Sequence, residues 1–361
     1  MGIRHLNLTD FRLFRTARFE PEAEGTTVIT GANGTGKTSV LEALAYLGTR
    51  RSFRGAPVEA LVRSGADSAI VRTELTVPGS SAPTRVEAEI APGGRSRTRV
   101  NGKPVSGRKE LGAAAPCTVF SPEDLTIVSG APQGRREFVD DALALLDGEG
   151  VRAADETERV LRQRGALLRQ AGGRVTEDVT TTLDVWDQRL ADAGKVLTAA
   201  RERLVADLEP VTAEAYGRLA GRPGEPLVSL AYARSWDGDL RDALARSRAD
   251  DLRRGVNTVG PHRDDVVLRV EGREARTHAS QGEQRSLALA LRLAVHRLVR
   301  ERTPLVHTLL LDDVFSELDP GRSRALVAEL PPGQSLLTTA APLPEGIEVA
   351  RVVPVGQLAR S

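Results

Sequence analysis

At 361 residues the chain is long enough for two compact units, each with its own hydrophobic core. Its formal net charge is only +1, so any binding to nucleic acid must use a local basic patch and not the field of the whole molecule. A single cysteine excludes an intramolecular disulfide, and the lack of a membrane-length apolar run or a signal-peptide core favours a cytoplasmic protein.

The first 125 residues alternate between apolar and polar side chains, which is typical of half-buried strands. An opening strand begins near Ile3, and further strands are predicted at 71–77 and 86–90. Asn101-Gly102 separates two short β-branched runs, and this dipeptide favours the tight turn of a hairpin.

A phosphate-binding loop is predicted between the strand 26–30 and an apolar helix, with the sequence Gly31-Ala32-Asn33-Gly34-Thr35-Gly36-Lys37-Thr38-Ser39. Glycines let the backbone wrap closely around an anion, and the start of the helix adds a positive end. Lys37 would pair with the β- and γ-phosphates of ATP, and Thr38 would bind Mg²⁺. The chain has only four lysines among 50 basic residues, yet one stands at this position.

From Pro132 the apolar residues follow helical periodicity. One helix ends at Gly148, a second at Gly172-Gly173, and a third covers about 179–208 and is predicted to end at Pro210. We therefore predict a compact helical lobe at 129–208, inserted between the two parts of an α/β domain at 1–128 and 209–361.

An apolar strand at 305–311 ends in Asp312-Asp313. If this strand lies beside the strand of the phosphate loop, Asp312 can reach Mg²⁺, as acids at this position do in other phosphate-loop ATPases. Asp313 would then orient or deprotonate the attacking water. The alternative is a strand whose acids merely meet solvent at the edge of the sheet.

The segment Ser280-Gln281-Gly282-Glu283-Gln284-Arg285 opens another apolar helix and has two interpretations. Ser280 with Glu283 forms the pattern of a capping box. The same helix start could also bind a phosphate through Ser280 and the Gly282 amide. These interpretations are not exclusive, and the segment alone does not decide between them.

The order of these motifs resembles the ATP-binding-cassette superfamily and, within it, the RecF family of bacterial recombination-mediator ATPases related to SMC heads. The matching segments, which cover nearly the whole chain except the helical middle and the C-terminal tail, are Leu6 to Arg12, Arg51 to Arg54, Phe120 to Leu125, Arg135 to Phe138, Gly260-Pro261-His262-Arg263-Asp264-Asp265 and Ser280 to Arg285.

The resemblance implies an α/β phosphate-loop ATPase head of mixed and parallel sheets. It also implies a homodimer that forms on ATP and Mg²⁺, with Ser280 to Gln284 acting in trans and Ser316 and Asp319 in the loop after the acids. Such a dimer would bind DNA at junctions of single and double strands and help RecR and RecO load recombinase during repair.

Three departures from the superfamily pattern affect the expected chemistry. No clear glutamine stands before the helical lobe, so Glu123 or Asp124 would replace it. No histidine follows the late strand, so Thr338 or Thr339 would make that contact. Asp313 is one methylene shorter than the usual glutamate, which predicts slow hydrolysis.

Arg95, Arg97 and Arg99 alternate along one strand near Lys103 and are predicted to contact DNA phosphates, with a solvated sheet face as the alternative. Two other functions remain open from sequence: the ATPase subunit of a membrane transporter and a non-hydrolysing SMC-like architectural protein.

Overall fold

The computed structural model describes residues 2–76, 82–94, 96–303, 307–316 and 318–358. They form two compact units. Unit 1 contains Met1–Leu125, Glu214–Glu225 and Ser280–Ser361, and unit 2 contains Thr126–Ala213 and Pro226–Ala279. Unit 2 is thus larger than the lobe predicted at 129–208, because a second segment of the chain joins the helices.

Within the described residues the strands, in chain order, are β1 (Gly2–Phe11), β2 (Phe14–Phe19), β3 (Gly25–Thr30), β4 (Ala69–Thr76), β5 (Thr84–Ile90), β6 (Arg97–Val100), β7 (Lys103–Val105), β8 (Cys117–Phe120), β9 (Val228–Ala233), β10 (Asp265–Val270), β11 (Arg273–Glu274), β12 (Thr308–Asp312), β13 (Gln334–Thr339) and β14 (Val349–Pro354). The helices are α1 (Lys37–Thr49), α2 (Val58–Leu61), α3 (Arg108–Ala114), α4 (Leu125–Ser129), α5 (Pro132–Leu146), α6 (Gly148–Ala171), α7 (Glu177–Leu219), α8 (Leu240–Arg254), α9 (Ala275–His278), α10 (Gln281–Arg302), α11 (Pro320–Glu329) and α12 (Val355–Leu358).

Unit 1 contains a parallel sheet with the strand order β14-β3-β13-β12-β8. The strand β12 does not lie directly beside the phosphate-loop strand β3, because β13 lies between them. The carboxyl ends of parallel strands nevertheless meet at one edge of a sheet. The loop after β3 and the acids after β12 therefore still come together. The C-terminal tail, which the matching segments do not cover, supplies the edge strand β14.

A second sheet of unit 1 is antiparallel and has the order β2-β1-β4-β5-β6-β7. The strands predicted near 71–77 and 86–90 are confirmed as β4 and β5. The predicted hairpin is confirmed as β6 and β7, and its turn residues Asn101 and Gly102 have φ angles of 49° and 80°. Two positive φ angles are what the tight turn requires, and they explain the Asn-Gly pair.

Unit 2 combines helices with a small antiparallel sheet of order β11-β10-β9. The predicted end of the third helix at Pro210 is wrong: α7 continues through this proline to Leu219. A proline inside a helix costs about 3 kcal/mol. Leu208 and Thr212 on either side are fully buried, so packing of the flanking turns outweighs the lost hydrogen bond.

The Gly260–Asp265 motif has a structural role in unit 2. Asp264 is fully buried and accepts hydrogen bonds from the Tyr232 hydroxyl at 2.5 Å and from the Ser235 amide at 2.8 Å. Burial raises the pKa of Asp264 above its ordinary value. Asp265 accepts two bonds from the Arg135 guanidinium, at 2.7 and 2.9 Å. Two motifs that are distant in sequence are thus joined inside this unit.

No helix in the described part of the chain is both long enough and apolar enough to cross a membrane.

Candidate ATP site

The loop 31–36 joins β3 to α1 and depends on glycine at specific positions. Gly36 has a φ angle of 101°, and a Cβ there would lie 2.8 Å from the Phe14 ring and 2.9 Å from Leu13. A Cβ at Gly31 would lie 2.7 Å from Val355. A larger residue at either position would therefore displace the loop. At the tip of the loop, Ala32, Asn33 and Gly34 are exposed.

Lys37 is the first residue of α1, and its side chain folds back over the loop. Its Nζ donates to the carbonyl oxygens of Gly31 at 2.8 Å and Ala32 at 3.0 Å. Thr35 Oγ1 also donates to the Ala32 carbonyl, at 2.7 Å. The ammonium group therefore lies over the same loop whose backbone would surround a phosphate, as the motif predicts.

Thr38 and Asp312 meet although 274 residues separate them. Thr38 Oγ1 donates to Asp312 Oδ1 at 2.8 Å, and Thr338 Oγ1 on β13 donates to the same oxygen at 2.6 Å. Burial is the main cause of a raised pKa at Asp312, and the nearby negative charge of Glu123 adds to it.

Oxygen ligands of this kind suit Mg²⁺. A divalent cation would offset the unfavourable charge on Asp312, so Thr38 and Asp312 fit the predicted metal.

Asp313 follows β12 in a left-handed conformation, with a φ angle of 49°. Its backbone N–H donates to both the carbonyl and the hydroxyl oxygen of Thr338, each at 3.1 Å. Asp313 Oδ1 is buried and has no hydrogen-bond partner among the described residues. The side chain borders a cavity whose wall also includes Ser121 and Arg285. A buried carboxylate oxygen that accepts no hydrogen bond from the protein can accept one from a water molecule.

Glu123 and Asp124 have different environments. Asp124 accepts from Arg292 at 2.6 Å and from the Ser121 amide at 2.9 Å, so its carboxylate holds α10 to the segment after β8. Glu123 lies 3.8 Å from Arg54 and its charge acts on Asp312. Of the two alternatives, Glu123 is the one whose charge acts on Asp312, whereas Asp124 lines the same cavity as Asp313.

Ser280 forms the predicted capping box at the start of α10. Its Oγ accepts from the Glu283 amide at 3.3 Å, and its own amide donates to Glu283 Oε2 at 2.7 Å. Ser280 and Gln281 are exposed, whereas Gln284 is buried. A Cβ at Gly282 would lie 2.6 Å from Arg322. Action of this segment in trans stays a prediction.

Ser316 and Asp319 organise the loop between β12 and α11. Ser316 Oγ donates to the Asp313 carbonyl at 2.9 Å, and Asp319 caps α11 by accepting from the Arg322 amide at 2.9 Å. The predicted loop with Ser316 and Asp319 is thus hydrogen-bonded to Asp313, the acid that is predicted to activate water.

The basic strand is β6, where Arg97 and Arg99 are exposed and Thr98 between them is buried. These arginines stand opposite Glu89 and Glu87 of β5, and Arg99 lies 3.6 Å from Glu87. Lys103 is exposed on β7, while Arg95 lies outside the described residues. Part of the positive charge is therefore balanced within the sheet, and DNA contact stays a prediction.

Comparison with known families decides the broader identity. The model of the RecF/RecN/SMC N-terminal domain family matches residues 2–335. The chain belongs to this family.

Among RecF relatives, the chain is 40% identical to the DNA replication and repair protein RecF of Beutenbergia cavernae, over 99% of this chain and 98% of that protein. It is also 40% identical to that of Kineococcus radiotolerans, over 97% and 95% of the two chains.

A solved structure of the recombination mediator protein RecF with ATP in the RecFOR pathway matches with a TM-score of 0.86 and 25% identity. The match covers 96% of this chain and 93% of that one. An Smc head bound to the C-winged helix domain of ScpA shares the fold, with a TM-score of 0.52 and 16% identity. The predicted α/β ATPase-head fold is confirmed.

Sequence reasoning missed one network on the helix that follows the phosphate loop. Glu42 on α1 is fully buried and accepts from Arg12 Nε at 2.7 Å and from the Ser52 hydroxyl at 2.5 Å. Ser52 Oγ in turn accepts from the Arg54 amide at 3.1 Å. A glutamate at the centre of an otherwise apolar helix was the signal available in the sequence.

Proposed function

We propose that this chain is an ATP-dependent DNA-binding recombination mediator with weak ATPase activity. The observation that carries the proposal is the 2.8 Å contact between Thr38 Oγ1 and Asp312 Oδ1 beside a phosphate loop, in a chain with RecF relatives. Two oxygen ligands from distant segments meet at the point where a nucleotide's Mg²⁺ would bind.

In the proposed reaction the loop amides and Lys37 hold the β- and γ-phosphates. Thr38 and Asp312 would hold Mg²⁺, which would supply positive charge beside the phosphates. Asp313 accepts a proton from water as the water oxygen bonds to the γ-phosphorus. The bond from that phosphorus to the β–γ bridging oxygen breaks, its electron pair stays on that oxygen, and ADP leaves. The short reach of Asp313 makes this step slow.

Hydrolysis would be coupled to association of two chains. Each ATP lies between the loop 31–39 of one subunit and the segment 280–284 of the partner, with Ser316 and Asp319 beside it. The dimer binds DNA at a junction of single and double strands and acts with RecR and RecO in the cytoplasm. The RecFOR pathway named for the similar ATP-bound structure supports these partners.

Sedimentation velocity tests this proposal. The protein is measured with ATP, with ADP and without nucleotide, each with and without gapped duplex DNA. We expect dimers with ATP only, and DNA in the dimer peak. Monomers under all three nucleotide conditions, or equal DNA binding by monomer and dimer, would contradict it.

Asp313→Asn should keep binding of Mg²⁺ and ATP but slow hydrolysis by roughly 100-fold, because an amide cannot accept the proton of water. ATP-held dimers should then last longer in a dissociation assay. Hydrolysis at the parental rate would show that Asp313 is not the base.

The double variant Arg97→Ala/Arg99→Ala should bind DNA more weakly. The slope of log affinity against log salt should also become smaller in magnitude by about 2, because a phosphate that is no longer contacted keeps its counterion. ATP affinity should not change. Arg18→Ala is a matched control, since Arg18 is an exposed arginine on β2 at the opposite edge of the same sheet. If the double variant and this control behave alike in DNA titrations, β6 is only a solvated face.

A further inference from the structure

Thr338 is a fully buried residue near the end of β13, the strand that lies between β3 and β12. Its partner in the register of the sheet is Asp312. Thr338 therefore lies beside Asp312, between the phosphate-loop strand β3 and the strand β12. The only polar group of its side chain is one hydroxyl.

That hydroxyl contacts both acids of the site. It donates to Asp312 Oδ1 at 2.6 Å and accepts from the Asp313 amide at 3.1 Å. A hydroxyl has one proton and two lone pairs, so both bonds can form at once. A valine of the same shape would lose both, whereas a serine would keep both.

The two bonds act on different properties of the site. The bond to Asp312, together with the bond from Thr38, fixes the direction of the oxygen that would face Mg²⁺. The bond from the Asp313 amide supports a left-handed backbone, which residues other than glycine rarely adopt. This backbone conformation determines where the Asp313 carboxylate points.

We propose that Thr338 is the positioning residue of the hydrolytic site, setting the orientation of Asp312 and Asp313 through one hydroxyl. This inference rests on the proposed function, because it assigns Thr338 a part in ATP hydrolysis. Thr339 has a different role: its hydroxyl donates to the Ala341 carbonyl at 2.8 Å and accepts from the Ala341 amide at 3.0 Å.

The experiment compares Thr338→Val with Thr338→Ser. We expect kcat for ATP to fall about tenfold in the valine variant, as for other groups that orient metal ligands, while KM changes less than about twofold. The Mg²⁺ concentration for half-maximal binding of a fluorescent ATP analogue should rise by about the same factor. Serine should restore both values to within about threefold of the parental protein.

Thr27→Val is the matched control, because Thr27 is a fully buried threonine on the neighbouring β3 whose hydroxyl accepts from the Glu22 amide at 2.9 Å. It should leave kcat and the Mg²⁺ dependence unchanged. If valine at 338 prevents folding, Thr338→Ala should show the same loss of kcat and the same rescue by serine.

A valine variant with parental kcat, or a serine variant as slow as valine, would overturn the role of Thr338. Failure of the proposed function gives a different result. In that case the parental protein itself hydrolyses no more ATP than Lys37→Met.

Discussion

Lys37→Met should greatly weaken ATP binding while leaving the fold intact. In the structure the Lys37 ammonium is held over the loop by the carbonyls of Gly31 and Ala32, and it is the one cation in the segment 31–39. Removing a charge that pairs with a buried phosphate costs about 2–5 kcal/mol. The affinity for ATP should fall by at least about thirtyfold, measured by calorimetry.

The control uses another of the four lysines. Lys195 is exposed on α7, so Lys195→Met makes the same chemical change away from the loop. It should bind ATP with parental affinity, and both variants should show the circular dichroism spectrum of the parental protein. Parental ATP affinity in Lys37→Met would mean that the loop is not the phosphate site.

Local features of unit 1 could be predicted because the chemistry that specifies them is local. Asn101-Gly102 predicts its own turn, since both residues accept positive φ angles. The phosphate loop is specified by glycines with positive φ angles, 78° at Gly34 and 101° at Gly36, which glycine accepts without strain. In each case a short sequence contains the whole physical reason for its conformation.

Features that depend on distant residues were predicted wrongly or not at all. The strand β13 pairs with β3, which lies hundreds of residues earlier in the chain. The apolar sequence of a buried strand indicates that the strand is buried but not which strands it pairs with. Pro210 predicted a helix end because local propensity disfavours proline, but Leu208 and Thr212 are held by packing.

The candidate site shows the same division. Motifs in the sequence singled out Lys37, Thr38 and Asp312, and the structure gives their contacts, while their roles toward ATP and Mg²⁺ stay predictions. The link from Thr338 to both acids required the strand order. Sequence left Thr338 and Thr339 equivalent, and only their hydrogen bonds separate them.

Ser280→Arg should leave ATP binding to the single chain intact but prevent ATP-dependent dimerisation. Ser280 Oγ accepts the capping bond from the Glu283 amide. The Ser280 amide and hydroxyl also bond to the Glu283 carboxylate, which holds the pKa of that carboxyl below its ordinary value. To act in trans, the hydroxyl would have to turn its proton from Glu283 to a phosphate oxygen of the partner's nucleotide. An arginine there removes the hydroxyl and places a long side chain where the partner's nucleotide would bind.

Ser280→Ala separates the two roles. Loss of the cap costs about 1 kcal/mol of folding stability in either variant. If Ser280 only caps α10, alanine and arginine should shift the melting temperature alike and both should still dimerise with ATP. If it also binds ATP in trans, arginine should block dimerisation completely and alanine should weaken it, with nucleotide affinity through Lys37 unchanged in both.

Mixing two defective subunits tests the geometry directly. A Ser280→Arg subunit keeps its Lys37, and a Lys37→Met subunit keeps its Ser280, so together they can form one intact composite site but not two. ATP-dependent association should reappear in part in the mixture, measured by sedimentation, although neither variant dimerises alone. This result requires Lys37 and Ser280 to act on the same nucleotide from different chains. Normal dimerisation of Ser280→Arg alone would exclude a site shared between subunits, and the proposed coupling of ATP to dimer formation would fail with it.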